Sequence, residues 1–372
     1  MTSHTDLSMG PNPVSEISFP SLMPFGWTTT LAAIFSERAA PMDEPARVVA
    51  ATHGLALLQT TTGEIWGTPS GRFRERLKKE ATALCAGDWI TIQRSAQASR
   101  ALMLDLLPRG STLIRRGSGP GARPQCLASH LDVVLLLMGL DRNFNPARME
   151  RLLALAWGSG ARPVVLLTKA DLEQRSPSFI ARIEGIAPGV QVLAISSVTG
   201  KGLERVRACV GKGLTAVMVG SSGVGKSTLL NALTGQELRR TQEVRTTDGR
   251  GRHTTSLREL FLLPGSGCLI DTPGIREVGL LAEGADLDRA FADISTFAAH
   301  CRFRDCTHSS EPDCAVQAAL AEGHLDAHRY GNYLRLRREE AYEAARSDER
   351  LWREREQKWR RIAKSQKHVQ KG

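Results

Sequence analysis

Gly220-Ser-Ser-Gly-Val-Gly-Lys-Ser227 lies between an apolar run, Leu214–Val219, and a helix-forming run that begins Ser227-Thr-Leu-Leu-Asn-Ala-Leu. The pattern G-x-x-x-x-G-K-[ST] in that setting demands a strand, a tight turn and a helix in that order. Glycines let the backbone wrap closely and aim its N–H groups inward at phosphate oxygens. The N-terminus of the following helix adds a partial positive charge. The loop therefore predicts phosphate binding by Gly220, Ser221, Ser222, Gly223, Val224, Gly225, Lys226 and Ser227. Lys226 would reach the β and γ phosphates, and Ser227 would ligate Mg²⁺.

Further along, Cys268-Leu-Ile-Asp-Thr-Pro-Gly274 ends a second apolar run. An acidic residue at a strand end, Asp271, suits indirect control of Mg²⁺, and Gly274 can offer its backbone N–H to a γ-phosphate. Between the two motifs lies Gly249-Arg-Gly-Arg-His-Thr-Thr255, where Thr254 or Thr255 could close over Mg²⁺ and the γ-phosphate as a switch.

Phosphates do not distinguish ATP from GTP, so the base must be read elsewhere. A T-K-x-D string, Thr168-Lys-Ala-Asp171, follows the apolar run Val164–Leu167. A carboxylate at Asp171 can accept two hydrogen bonds from the N1–H and N2–H₂ edge of guanine, whereas adenine presents the opposite polarity. Lys169 would pack along the ring, and Thr168 stands where Asn is more usual. After another apolar run, Val192–Ile195, comes Ser196-Ser-Val-Thr-Gly-Lys-Gly-Leu203, whose first residues, Ser196 and Ser197, would lay backbone against the base. In ordinary G proteins this pair of motifs follows the phosphate loop; here it precedes it. Circular permutation accounts for the order, because adjacent termini allow the same sheet to be started elsewhere.

Strands alternating with helices from about residue 130 onward predict a parallel α/β sheet. Upstream, short alternating runs (Arg47–Leu58, Glu64–Trp66, Asp88–Arg94, Ala101–Leu107) predict a small β-barrel or sandwich. The prolines at 11, 13, 20 and 24 predict a loosely ordered N-terminal segment, with one helix at Thr28–Arg38. Residues 281–330 read as short helices and 331–372 as one long exposed helix, with six basic and no acidic residues from Lys358 onward. The formal net charge of +10 favours polyanionic partners, nucleic acid above all. With no long apolar run and no basic segment leading into an apolar stretch near the start, neither a membrane span nor a secretory signal is expected. A cytoplasmic monomer is the default.

The seven cysteines do not form a disulfide framework. Three of them crowd with a histidine into Cys301-x₄-Cys306-x-His308-x₅-Cys314. Three thiolates and an imidazole match the tetrahedral preference of Zn²⁺, and four filled positions predict a closed structural site. Such a site could contribute on the order of 10 kcal/mol to folding a segment with little core of its own. His300 is a competing ligand, while His324 and His328 read as surface residues.

Taken together, the permuted order, G-R-H-T-T followed by D-T-P-G-I-R-E, and C-R-F-R-D-C-T-H-S-S-E-P-D-C-A-V closely resemble the small-ribosomal-subunit-dependent GTPases of the RsgA (YjeQ) family over residues 46–340. Gly87-Asp-Trp-Ile90 and Leu107-Pro-Arg109 resemble that family's barrel. The resemblance implies an N-terminal extension (1–45), an OB-fold barrel (46–117), a circularly permuted P-loop GTPase domain (118–282) and a helical zinc-binding domain with a basic C-terminal helix (283–372). It also implies slow GTP hydrolysis stimulated by the small subunit, in late assembly of that subunit, with nucleotide state controlling binding and release. Thr228 joins the phosphate and Mg²⁺ residues on this ground. Ras-like proteins orient the attacking water with a Gln after the D-x-x-G glycine; Ile275 stands here, and His253 resembles the family's candidate for that task. His130 stands where the family often has Asn. Two other readings are an RNA-binding assembly factor with a vestigial nucleotide site and a P-loop ATPase. Lys226, Ser227 and Asp271 argue against the first, and Asp171 against the second.

Overall fold

A computed structural model describes residues 19–52, 54–94, 99–115, 124–141, 144–173, 176–235, 258–272, 284–309 and 311–347. A short 3₁₀ turn, Pro20–Phe25, leads into α1 (Thr29–Ser36). Thr28 caps α1 by accepting a hydrogen bond from the Leu31 N–H at 3.2 Å. The loose segment expected here is instead packed over its described residues. Leu22, Trp27, Leu31 and Phe35 bury against Trp89 and Leu107, and the Trp27 and Trp89 rings meet edge-on at 4.8 Å. The prolines prevent a long helix, but the aromatic side chains supply enough apolar area to hold the segment down.

Five strands follow: β1 (Glu44–Thr52), β2 (Leu55–Thr60), β3 (Gly63–Pro69), β4 (Trp89–Gln93) and β5 (Ala101–Leu106). Their order is β1-β2-β3-β5-β4, and β4 pairs back onto β1, closing a barrel filled by Val48, Leu58, Ile90, Ile92 and Met103. Closure removes the exposed edges that a five-stranded sheet would carry. Between β3 and β4 the helix α2 (Gly71–Lys79) drives Phe73 into the barrel. The sequence pattern gave little sign of α2, since Phe73 and Leu77 are the only apolar residues among its charges.

A hairpin, β6 (Thr112–Arg115) and β7 (Gln125–Ser129), leads into the second sheet. There β8 (Val133–Gly139), α3 (Pro146–Gly158), β9 (Arg162–Thr168), α4 (Ser176–Ile186), β10 (Gln191–Ala194), α5 (Leu203–Cys209), β11 (Thr215–Gly220) and α6 (Lys226–Thr234) alternate as anticipated. They are followed by β12 (Glu259–Leu262) and β13 (Cys268–Asp271). The strand order is β10-β9-β8-β11-β13-β12, parallel except for β12. Every residue of β8 is buried, as a strand covered by helices on both faces requires.

The two sheets meet where β1 pairs with β12 at Ala50 and Glu259. Arg47 reinforces this junction from a fully buried position, donating to the carbonyls of Phe25, Gly87 (3.2 Å) and His130 (3.3 Å). His130 has φ = 52°, a left-handed conformation that Asn and His adopt more readily than most residues. Burial, aided by the Arg47 charge, pushes its imidazole down to about 4 and keeps it neutral.

Helices α7 (Gly284–Ala290), α8 (Ala292–Ala298), α9 (Ala315–Ala321) and α10 (Ala327–Ser347) complete the described chain. The long helix is not wholly exposed. Arg329, Tyr330, Asn332 and Leu336 are buried, so one stripe of α10 docks on the rest. Arg329 donates to both oxygens of Asp293 at 2.7 Å and to Glu150 of α3 at 2.6 Å, while Asn332 donates to the other Glu150 oxygen. No helix among the described residues is long and apolar enough to cross a membrane.

Candidate nucleotide site and metal centre

Because β8 through β11 and β13 run parallel, their C-terminal ends share one edge of the sheet, where α/β proteins bind ligands. Registers Gly220↔Leu137, Gly139↔Thr168 and Ala194↔Leu167 bring the strand ends together. Segments distant in sequence thereby become neighbours, whichever order the chain visits them.

The phosphate-loop motif turns from β11 into α6 with Gly223 at φ = 75° and Gly225 at φ = 102°, values that L side chains rarely adopt. Gly220 has a different constraint: a Cβ there would sit 2.7 Å from the Leu137 carbonyl oxygen. No side chain caps the start of α6. Lys226 Nζ lies back on the loop, donating to the carbonyls of Gly220 at 2.5 Å and Ser221 at 2.8 Å. Val224 is buried, whereas Ser222, Gly223, Ser227 and Thr228 are exposed at the mouth. Beside the loop, burial raises the Asp271 carboxyl above its usual range, with the Lys226 charge opposing this. Thr272 donates its hydroxyl to the Met218 carbonyl at 2.8 Å and fixes the end of β13.

Thr168 is buried and donates to the Val224 carbonyl at 2.7 Å. The T-K-x-D string is thus bonded to the phosphate loop, a coupling that spacing alone did not reveal. Lys169 has φ = 61°, held by Leu172 N–H donating to its carbonyl and by Ala170 N–H donating to Ile195, both at 3.0 Å. Strained positions of this kind cluster at functional sites. Its ammonium pairs with Asp141, just beyond β8, at 2.7 Å. Asp141 escaped sequence reasoning; its only signal was an acidic residue at a strand end. Asp171 is exposed, Ser196 is buried and Ser197 is half-buried. Ser196 N–H donates to the Lys201 carbonyl at 2.9 Å, and Thr199 N–H to Ser196 Oγ at 3.2 Å, which shapes this second turn. His253, Thr254, Thr255 and Gly274 lie outside the described residues.

In the helical segment, Cys301, Cys306, His308 and Cys314 place one ligand atom each within 4.8 Å of all the others. His308 Nδ1 is 3.5 Å from both Cys301 Sγ and Cys314 Sγ. The loop is held from outside the cluster. Tyr330 Oη donates to the His308 carbonyl at 2.9 Å, and Glu311 accepts from the Thr307 N–H at 2.8 Å and the Ser309 N–H at 2.9 Å. The Thr307 hydroxyl, then the Thr307 and Ser309 N–H groups, hold the Glu311 carboxyl well below its usual range. This arrangement can hold a metal ion. His300 is not part of it; its ring lies on the Thr296 carbonyl at 2.8 Å.

The sequence model of the RsgA GTPase family matches residues 106–281. The chain is 40% identical over 367 residues to the small ribosomal subunit biogenesis GTPase RsgA of Streptomyces avermitilis, covering 95% of each protein. It is 38% identical over 356 residues to the protein of the same name from Opitutus terrae, covering 93% of this chain and 97% of that one. The crystal structure of YjeQ from Thermotoga maritima matches 80% of this chain and 99% of its own with a TM-score of 0.60 at 23% identity. That of YloQ, titled a circularly permuted GTPase, matches 82% and 98% with a TM-score of 0.57 at 23% identity. The likeness to these two concerns the fold, and it accounts for a G-x-x-x-x-G-K-S motif that follows the T-K-x-D string. With identity at this level across nearly the whole chain, the protein belongs to the RsgA GTPase family.

Proposed function

We infer that this chain binds GTP, hydrolyses it to GDP and phosphate, and acts in biogenesis of the small ribosomal subunit, which stimulates the hydrolysis. The observation that carries the reading is the Thr168–Val224 hydrogen bond, which ties the T-K-x-D string to the phosphate-loop motif. Asp171 reads the guanine edge, Lys169 lies along the ring, and Ser196 and Ser197 present backbone to the base. The loop N–H groups of Gly220–Ser227 and the hydroxyl of Thr228 take the phosphates. Lys226 exchanges its two carbonyl partners for phosphate oxygens. Ser227, with Thr254 and Thr255 and under the influence of Asp271, would hold Mg²⁺, which would supply charge neutralisation on the phosphates. Gly274 offers its N–H to the γ-phosphate, and His253 positions water. Binding to the ribosome in the GTP state and release in the GDP state needs only differential affinity between two conformations. The basic surplus suits ribosomal RNA in the cytoplasm.

Asp171→Asn tests the base assignment. Guanine's two donors would lose their carboxylate, at a cost of about 1–3 kcal/mol, so GTP affinity should fall roughly tenfold to a hundredfold in a nucleotide-binding titration. Xanthosine triphosphate, with a carbonyl in place of the amine, should bind the variant better than GTP. Unchanged preference for GTP over ATP and xanthosine triphosphate would return the ATPase reading to consideration.

The metal held by Cys301, Cys306, His308 and Cys314 is assigned as structural zinc. Three soft sulfurs and one imidazole in a closed set favour that ion over Mg²⁺ or Ca²⁺. Elemental analysis of the purified protein should give one zinc per chain, and Cys306→Ser should lower it. A protein that purifies folded and free of zinc would refute the assignment.

A further inference from the structure

Cys85 and Cys126 stand 41 positions apart in sequence, yet their sulfurs lie 3.3 Å apart. Neither belongs to the Cys301–Cys314 metal set. Their approach is fixed by backbone: Ala86 and Ala128 form a short parallel bridge, and the Ser129 N–H donates to the Ala86 carbonyl at 3.2 Å. The two thiols differ in surroundings. Cys85 is buried, with its N–H on Asp88 Oδ2 at 2.9 Å and its sulfur 3.5 Å from Asp88 Oδ1. Cys126 is half-buried on β7, with its sulfur 3.4 Å from the Ala128 carbonyl oxygen. Arg109 grips Asp88 through two 2.7 Å hydrogen bonds beside the pair.

We propose that Cys85 and Cys126 form a redox-active dithiol that a peroxide closes reversibly to a disulfide, linking the barrel to the strand that feeds the GTPase sheet. The hydrogen bond from Cys85, and then the Arg109 charge, lower the Cys126 thiol. Burial, then the Cys126 contact and the Asp88 charge, push the Cys85 thiol well up. Cys126, the less buried of the two, is the attacking sulfur and Cys85 the resolving one. The Cys126 thiolate attacks one peroxide oxygen, the O–O bond breaks, and the departing hydroxide takes up a proton as water. Cys85 sulfur then attacks the Cys126 sulfenic acid; the S–O bond breaks, and the hydroxyl leaves as water with the Cys85 proton. The two sulfurs lose one electron each, and the peroxide is reduced to two molecules of water. A thiol reductant reverses the closure.

The test uses the full zinc-loaded chain titrated with hydrogen peroxide, alkylated and mapped by peptide mass spectrometry. The Cys85 and Cys126 peptides should appear joined, with the loss of two hydrogens, before any cysteine of the metal set is oxidised. Dithiothreitol should restore both thiols. In Cys85→Ser, dimedone should trap a sulfenic acid on Cys126; in Cys126→Ser, it should label Cys85 far less. Peroxide raised until the metal-set cysteines oxidise, with Cys85 and Cys126 both still alkylated as free thiols, would overturn the proposal. So would a wild-type adduct on Cys126 that never resolves onto Cys85.

Discussion

Lys226→Ala should slow single-turnover GTP hydrolysis by roughly a hundredfold to a thousandfold, the usual loss on removing one group that stabilises charge in the transition state. The lysine emerges from the first turn of α6 with its ammonium on the Gly220 and Ser221 carbonyls. It is therefore placed where phosphate charge will arrive. The loop has anchors besides the lysine, since Gly223 and Gly225 carry the left-handed turns and Val224 is anchored by Thr168. Thermal melting of the variant should accordingly stay close to wild type while the rate collapses. Arginine should not rescue it, because a planar fork cannot replace a compact ammonium in a tight backbone cradle. Full activity in the alanine variant would mean that the phosphates bind elsewhere.

Arg329→Ala should destabilise the protein by about 3–5 kcal/mol, the range seen when one member of a buried ion pair is removed. Arg329 is 8% exposed and its partner Glu150 is 3% exposed, so Glu150 loses its cation where water has little access. Asp293, which Arg329 holds below the usual carboxylate range, would lose both of its 2.7 Å bonds. Glu150, already raised by burial, would keep only Asn332 as a close polar partner from α10. The double variant Arg329→Met with Glu150→Met should recover part of the loss, since it leaves no unpaired charge at the buried Glu150 position, while Asp293, 39% exposed, is left to solvent. Urea unfolding of the two variants measures this directly. A double variant no better than the single one would mean that the guanidinium contributes through its packing over Phe291 rather than its charge.

The G-x-x-x-x-G-K-S turn, the T-K-x-D string and the Cys301–Cys314 cluster were legible as patterns because each is contiguous, and the fold brings the residues of each together as the spacing suggested. The parallel sheet was legible because its strands are fully apolar and separated by helical runs, as in Val133–Gly139. What escaped was of two kinds. Local patterns failed where charges hide a thin apolar stripe, as in α2, or where prolines mask a packed aromatic cluster, as around Trp27. Long-range pairings were invisible because nothing in sequence links their partners. Glu150 and Arg329 are 179 positions apart, and the Thr168–Val224 bond spans 56. Asp88 and Arg109 illustrate the middle ground: both sat in strings noted for their resemblance to the family's barrel, but their bidentate pairing required the fold to become visible.

Turnover by this permuted GTPase should answer to the small ribosomal subunit. The measurement that addresses this directly is GTP hydrolysis by the purified protein alone, with isolated small subunits and with isolated large subunits. An aliphatic residue, Ile275, at the usual water-orienting position predicts slow hydrolysis by the protein alone. The rate should rise strongly with the small subunit and stay unchanged with the large one. Equal, slow turnover in all three reactions would contradict the account, removing the ribosome from the mechanism and leaving the basic surface to some other RNA.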